Sequence, residues 1–248
     1  MESLFRAVIS LESVVIVLAL CLVLSVLSYY FKLLTANGAV ASFVVGLLIG
    51  VLGAPSWLIL LILFSLLGFI VTKFRISLKE ELGVQEGKKG ERTYRNVFAN
   101  GFVPLLFAIG AFILGEEYYT VMAVGYIASI AVAASDTVAS EVGSLSRKVY
   151  LITNGEKVKA GIDGGISLEG TIACIMGGFV SAYLGWSLIF AELWNPLVLI
   201  LGAIGVIGCM IDSLIGATLE RRGIVGKLGT NILSMAAGAL IAVIIWML

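Results

Sequence analysis

The sequence predicts an all-α integral membrane protein, one polytopic domain over residues 1–248 built from about eight transmembrane helices. Three observations predict it. The chain is 60% hydrophobic with a mean hydropathy of +1.10, and only 13% of its residues are charged, far from soluble composition. The charges are clustered, leaving uncharged runs near the roughly 20 residues that span a bilayer as a helix. These runs lack the alternation of barrel strands, and lipid satisfies no backbone groups, so helices are the remaining solution.

The first run, Ser13 to Phe31, is longer than a signal-peptide core and has no convincing small-residue cleavage site, so it reads as a retained helix. The run from Leu33 to Thr72 divides at Ala54-Pro55-Ser56 into the second and third helices. Asn96 to Gly115, Tyr118 to Ser135, Gly170 to Ala191, Leu193 to Ile211 and Leu228 to Leu248 supply the other five. Cys21, Cys174 and Cys209 fall inside apolar runs without metal-ligand spacing and read as packing residues.

Lysine and arginine set the expected orientation. Seven lie between Lys73 and Arg95, four between Arg147 and Lys159 and three between Arg221 and Lys227, whereas the turns at Glu116-Glu117 and around Glu192 carry none. The positive-inside rule then makes the loops at about 73–95, 144–164 and 221–227 cytoplasmic, with both termini outside.

Within that frame the polar residues converge on one level. Eighteen residues of helix from Tyr118 reach Asp136 after about 27 Å, and Asp212 lies a similar distance from Leu193. Glu141, Ser167, Glu169, Thr171, Glu220 and Asn231 also fall at inner helix ends. In the stretch AASDTVASEVGS, residues 133–144, the pairs Asp136/Ser140 and Thr137/Glu141 are each one turn apart and form a polar arc. Gly205, Gly208, Asp212 and Gly216 make a small-residue stripe holding one carboxylate. Two readings stay open: close packing with the aspartates paired to interfacial Lys or Arg, or metal and phosphate chemistry. An intramembrane Asp costs roughly 2.5–3.5 kcal/mol on translocon scales, which favours a task for it.

The segment TNGEKVKAGIDGGISLEGT, residues 153–171, is the second signal. Gly161, Gly164 and Gly165 precede a helix start with Ser167 and Thr171, and Lys157 and Lys159 are close by in sequence. This pattern suits an anion nest feeding a helix N-terminus, or a plain flexible loop. No GxxxxGK[ST] and no GxGxxG occurs, which excludes P-loop and Rossmann nucleotide sites. The long basic loop adds Lys73, Arg75, Lys79, Arg92 and Arg95, followed by Asn96 and Asn100; part of that charge serves topology and anionic lipid. KEELGVQEGKKG, residues 79–90, reads as a solvated excursion. A faint repeat pairs Asp136-Thr137-Val138-Ala139-Ser140 with Asp212-Ser213-Leu214-Ile215-Gly216, and Gly170-Thr171 with Gly229-Thr230, as though helices five and six duplicated seven and eight.

Taken together, TKFR at 72–75, RNVFANG at 95–101, SDTVASEVG at 135–143, GIDGGISLEGT at 161–171, IDSLIGATLE at 211–220 and the late TN at 230–231 resemble an uncharacterised-domain membrane family that includes plant phytyl-phosphate kinase and is distantly similar to the dolichol and phytol kinases. The resemblance covers nearly the whole chain. The family often has a Gly-Thr-Asn-Gly-Gly type sequence where this chain has Ala160 to Gly165, with Asp163 offering a carboxylate there.

The resemblance implies a nucleotide-dependent kinase, using CTP, that converts an isoprenoid monophosphate to its diphosphate at the cytoplasmic membrane face. It implies Asp136, Glu141 and Asp212 as catalytic residues and Mg²⁺ ligands, with Lys73 as a further catalytic group. Lys79, Arg95, Asn96, Asn100, Lys159, Asp163, Gly164, Gly165, Ser167, Thr171 and Asn231 are the expected substrate and nucleotide ligands. Membrane lipids are the remaining partners, and no nucleic acid is expected. A monophosphate oxygen is already anionic and needs no strong base, which suits a chain without histidine. Lipid-phosphate cytidylyl transfer, a prenyl-alcohol kinase and an ion-coupled secondary transporter remain the alternatives.

Overall fold

The computed structural model describes residues 11–85, 87 and 90–248. Its helices are α1 Leu11–Tyr30, α2 Ala36–Leu52, α3 Pro55–Lys73, the short α4 Ile76–Leu82, α5 Tyr94–Leu114, α6 Glu116–Gly143, α7 Leu168–Phe190, α8 Leu197–Ile215 and α9 Lys227–Met247. Among the described residues seven spans are long and apolar enough to cross a membrane, counting α8 with its extension to Glu220; α2, at 17 residues, is the shorter eighth. Lys88 and Lys89, counted above in the basic loop, lie outside the described residues, as do residues 1–10.

Local chemistry fixes the helix starts. Thr35 caps α2 through Gly38 N–H, Pro55 occupies the first turn of α3, and Thr93 with Asn96 closes a capping box on α5. A parallel bridge joins Leu34 to Arg92, so the α1–α2 turn and the loop ahead of α5 lie at the same end of the bundle. That is the alternation the basic loops predict.

Helix α6 is the axis of the bundle. It packs on α3, α5, α7, α8 and α9, or all but α1 and α2 of the spanning helices, and its inner face is made of small residues such as Ala128, Ala131 and Ala134. Lipid removes the hydrophobic drive between helices, so close packing has to hold them. A Cβ on Gly177 of α7 would stand 2.8 Å from Ala134 O, and one on Gly205 of α8 would stand 3.0 Å from Ala131 O. The backbones of α7 and α8 therefore lie directly against α6. By contrast α1 is peripheral, with Val17 and Cys21 as its buried residues.

The bundle is the all-α membrane fold the sequence predicts, with two details that the uncharged runs do not show. The uncharged run of the fifth helix stops at Ser135, and α6 continues through Asp136 and Glu141 to Gly143, as the polar arc predicts. The loop near 144–164 carries a small sheet outside the helices. Strand β1 (Val149–Leu151) pairs antiparallel with β2 (Lys157–Val158) and β3 (Gly165–Ile166), with Val149 opposite Val158 and Tyr150 opposite Ile166. Four residues, Ile152 to Gly155, with Gly155 at φ +71°, make the hairpin loop between β1 and β2.

Candidate functional site: an acid-lined cavity

At the basic-loop end of the bundle, the last turns of α6, the start of α7, the end of α8 and the start of α9 surround a cavity of about 350 Å³. Asp136, Glu141, Asp163, Ser167, Thr171, Asp212, Glu220 and Lys227 are among the residues lining it. Close helix crossing builds this corner. A Cβ on Gly170 would lie 3.1 Å from Ala139 O and 3.3 Å from Gly143 Cα, which accounts for the glycines in SEVG and LEGT. The crossing brings the α7 N-terminus to the wall of the cavity. Ser167 Oγ accepts from Gly170 N–H at 3.1 Å, and Thr171 Oγ1 donates to Ser167 O at 2.8 Å.

Helix α8 ends in one wider π turn, Gly216–Glu220, a feature frequent at functional sites. It carries Glu220 to the cavity, where Thr230 Oγ1 donates to Glu220 Oε2 at 2.9 Å. Asp212, one turn earlier, accepts from Ser234 Oγ at 3.1 Å and pairs with Lys227 Nζ at 3.5 Å. Asp136 faces Asp212, with Glu220 and Lys227 alongside. The Lys227 ammonium thus sits amid Asp136, Asp163, Asp212 and Glu220.

Glu141 is used differently. Thr72 Oγ1 donates to its Oε1 at 2.5 Å, and Lys79 Nζ donates to its Oε2 at 2.5 Å. Lys79 also donates to Val71 O at 2.8 Å and Thr72 O at 3.4 Å, so the three donors of its ammonium are occupied inside a 0%-exposed side chain. Arg92 Nη2 donates to Thr72 Oγ1 at 3.0 Å. The four residues form a closed clamp tying α3 and α4 to α6.

Residues 19–237 match the family described as Integral membrane protein DUF92. The chain belongs to that family. It is 36% identical over 247 residues to the uncharacterised membrane protein MJ0933 of Methanocaldococcus jannaschii, covering 99% of this chain and 97% of that one. It is 30% identical to Protein PGR of Arabidopsis thaliana, covering 83% of this chain and 81% of the relative. With Protein VTE6, chloroplastic, of the same plant, it is 27% identical over 85% of this chain and 65% of the relative. No solved structure matches it.

In this DUF92 chain the cavity collects Asp136, Glu141, Asp163, Gly164, Gly165, Ser167, Thr171 and Asp212 of the expected set. The others stand elsewhere. Lys79 is sealed in the clamp, and Asn96 accepts from Thr93 N–H in the α5 cap at 3.0 Å. Asn231 donates to Asn100 across α9 and α5 at 3.2 Å. Arg95 and Lys159 are exposed, and Lys73 lies near Gly90. The glycines also differ from an open nest. Gly165 N–H is spent on Ile162 O at 2.9 Å, and Gly164, at φ +77°, is pressed against Ala217 of the π turn, where a side chain would collide. Gly164 lets the loop dock on the π turn, and Gly165 packs against Val149 of β1.

Sequence reasoning missed Lys227 and did not assign Glu220. Lys227 counted only as a topology charge, although its position at the first turn of α9, three residues before Gly-Thr-like Thr230, was a usable signal. Cys174 and Cys209 are buried as expected but also line the cavity.

The donor set can be tested for Mg²⁺. Among the described residues no group of three or more His, Cys, Asp or Glu side chains is gathered as a metal cage. Two facing carboxylates, Asp136 and Asp212, are nevertheless what Mg²⁺ uses when substrate phosphates and water complete its shell. The residues fit a metal brought with a phosphate ligand.

Proposed function

We propose that this chain is a Mg²⁺-dependent kinase that transfers the terminal phosphoryl group of a nucleoside triphosphate, CTP by expectation, to an isoprenyl monophosphate at the cytoplasmic face of the membrane. An oxygen of the lipid monophosphate attacks the terminal phosphorus, the bond to the bridging oxygen breaks, and the nucleoside diphosphate departs. The attacking oxygen is already anionic, so positioning and charge neutralisation are the main demands.

The observation that carries this reading is the charge of the cavity. With Glu141 neutralised by Lys79, four carboxylates face one ammonium, a formal charge of −3. Phosphates enter such a site only with divalent cations. Asp136 and Asp212 would hold Mg²⁺, which supplies electrostatic stabilisation of the phosphoryl oxygens. Lys227 and the α7 N-terminus, capped by Ser167, would orient the phosphates. The motif resemblance to the family containing phytyl-phosphate kinase supplies the lipid substrate, and a site at the helix ends lets the hydrocarbon tail stay in the bilayer.

The same acid excess also suits an ion-coupled transporter, although such sites favour broken helices at the midplane. Here Asp212 lies fifteen residues along α8, about 22 Å from its start. Purified protein given terminally radiolabelled CTP or ATP, Mg²⁺ and a panel of prenyl alcohols and monophosphates decides the matter. The expected product is a labelled prenyl diphosphate. Label on the alcohol would mean a prenyl-alcohol kinase, and a nucleotide-linked lipid would mean cytidylyl transfer. No product, with cations alone raising the unfolding temperature, would mean a transporter. Cysteine labels at Gly155 and Glu117 in a cysteine-free background test the orientation; the first should react only once the membrane is opened.

A further inference from the structure

A second cavity, of about 130 Å³, lies between α1, α2, α3 and the start of α5. Leu24, Val45, Leu58, Leu61, Phe64 and Phe69 make much of its wall. Along α3 it runs from Phe69 back to Leu58, eleven residues or about 16 Å of helix, from the basic-loop end into the hydrocarbon layer. Its outer side is closed by α1, the most lightly buried helix.

One end is polar. Arg92, Asn96 and Asn100 gather there, and Arg92 is the one charged residue lining the groove among the described residues. This end also touches the acid-lined cavity through a single side chain. Arg92 donates to the Thr72 hydroxyl at 3.0 Å, and that hydroxyl donates to Glu141 at 2.5 Å, whose residue lines the other cavity.

We propose that this groove holds the hydrocarbon chain of the isoprenoid phosphate processed in the acid-lined cavity. The proposal rests on the lipid-phosphate reading above. The occupant follows from complementarity: an apolar slot within the bilayer takes an apolar chain, and Arg92, the one charged side chain in its wall among the described residues, makes its mouth suit an anionic head. The adjoining cavity then receives that head beside its metal and nucleotide. Packing of the chain against the groove supplies dispersion contacts that a loosely fitting lipid lacks.

The test is photolabelling of the full-length protein in nanodiscs with a prenyl monophosphate carrying a diazirine at the tail end, followed by peptide mapping. Label should fall on groove-lining segments of α1, α2 and α3. Unlabelled prenyl monophosphate should compete, and phosphatidylglycerol should not. Ser65→Phe, which fills the groove, should lower labelling about tenfold, the effect of losing burial for roughly two methylenes; Ser42→Phe does the same from α2. The wild-type map decides the matter even where a variant does not fold. Label spread over the outer surface, equal competition by phosphatidylglycerol, or wild-type labelling in a folded Ser65→Phe variant overturns the groove. The kinase reading fails separately, if the wild type forms no diphosphate; groove labelling with that result would leave a prenyl-phosphate site without kinase chemistry.

Discussion

Asp136 and Glu141 stand five residues apart on one helix and meet opposite surroundings. Glu141 is enclosed by Thr72 and Lys79, each bonded to one of its oxygens, with Arg92 behind them. Asp136 looks into an open cavity with three further acids and a single lysine. A carboxylate whose partners are complete builds the fold. One placed among like charges around an accessible space is poised for a cation and its ligand.

The sharpest break of this comparison is a pair of isosteric changes. Asp136→Asn and Asp212→Asn should each lower phosphoryl transfer about 10³-fold, roughly 4 kcal/mol of transition-state stabilisation. Thermal unfolding in detergent should be unchanged or shifted upward, since each change thins a crowd of like charges. Reduced melting temperature with intact turnover would reverse the roles assigned to the two regions.

On the clamp side, Lys79→Met leaves the buried Glu141 without its cation and should cost about 3–5 kcal/mol of stability. The unfolding temperature falls, and activity per folded molecule stays near wild type. The double change Lys79→Met with Glu141→Leu should recover most of the loss, because no unpaired charge remains. Failure of the double change to recover would show that the clamp does more than hold α4 and α6 together.

A smaller effect belongs to Lys227, the one cation lining the cavity among the described residues. Lys227→Met should weaken nucleotide binding by 10- to 100-fold, given about 1.5–3 kcal/mol for a hydrogen bond to a charged group. Divalent-ion binding to the nucleotide-free protein should strengthen as the counter-charge goes. Titration calorimetry reads both, and parallel weakening of the two would count against phosphate as the partner of Lys227.

The smallest concerns the helix start. Ser167→Ala should lower stability by about 1 kcal/mol through loss of the α7 cap, and Ser167→Asn, also a good cap, should restore it. If Asn restores stability without restoring turnover, the Ser167 hydroxyl has a role in the cavity besides its cap.

Much of this arrangement was legible in the sequence. Uncharged runs located the spans, and counting rise per residue put Asp136, Glu141, Asp212, Ser167 and Thr171 on one level. What could not be read was the division of labour between Asp136 and Glu141. It depends on Lys79, which lies in a segment of mixed charge that looks solvated and which reaches Glu141, 62 residues further along the chain, only because α4 folds back against the end of α3. No periodicity encodes such a contact. The sheet was different, since Asn154-Gly155 after the apolar Val149 to Ile152 is a turn signal, but Glu156-Lys157-Val158-Lys159 beyond it is too polar to read as a strand. Lys227 was masked by its second meaning as a topology charge.

The π turn after Ile215 has a consequence for chain length. A turn of that kind contains a surplus residue compared with an ordinary α turn. Removing one residue between Ala217 and Leu219 would let α8 wind regularly to its end and swing all that follows by about 100°. Glu220 would leave Thr230 and the cavity, with its chemical identity unchanged. The direction in which this one acid points is therefore set by a count of residues, and a single-codon deletion would redirect it where no substitution could.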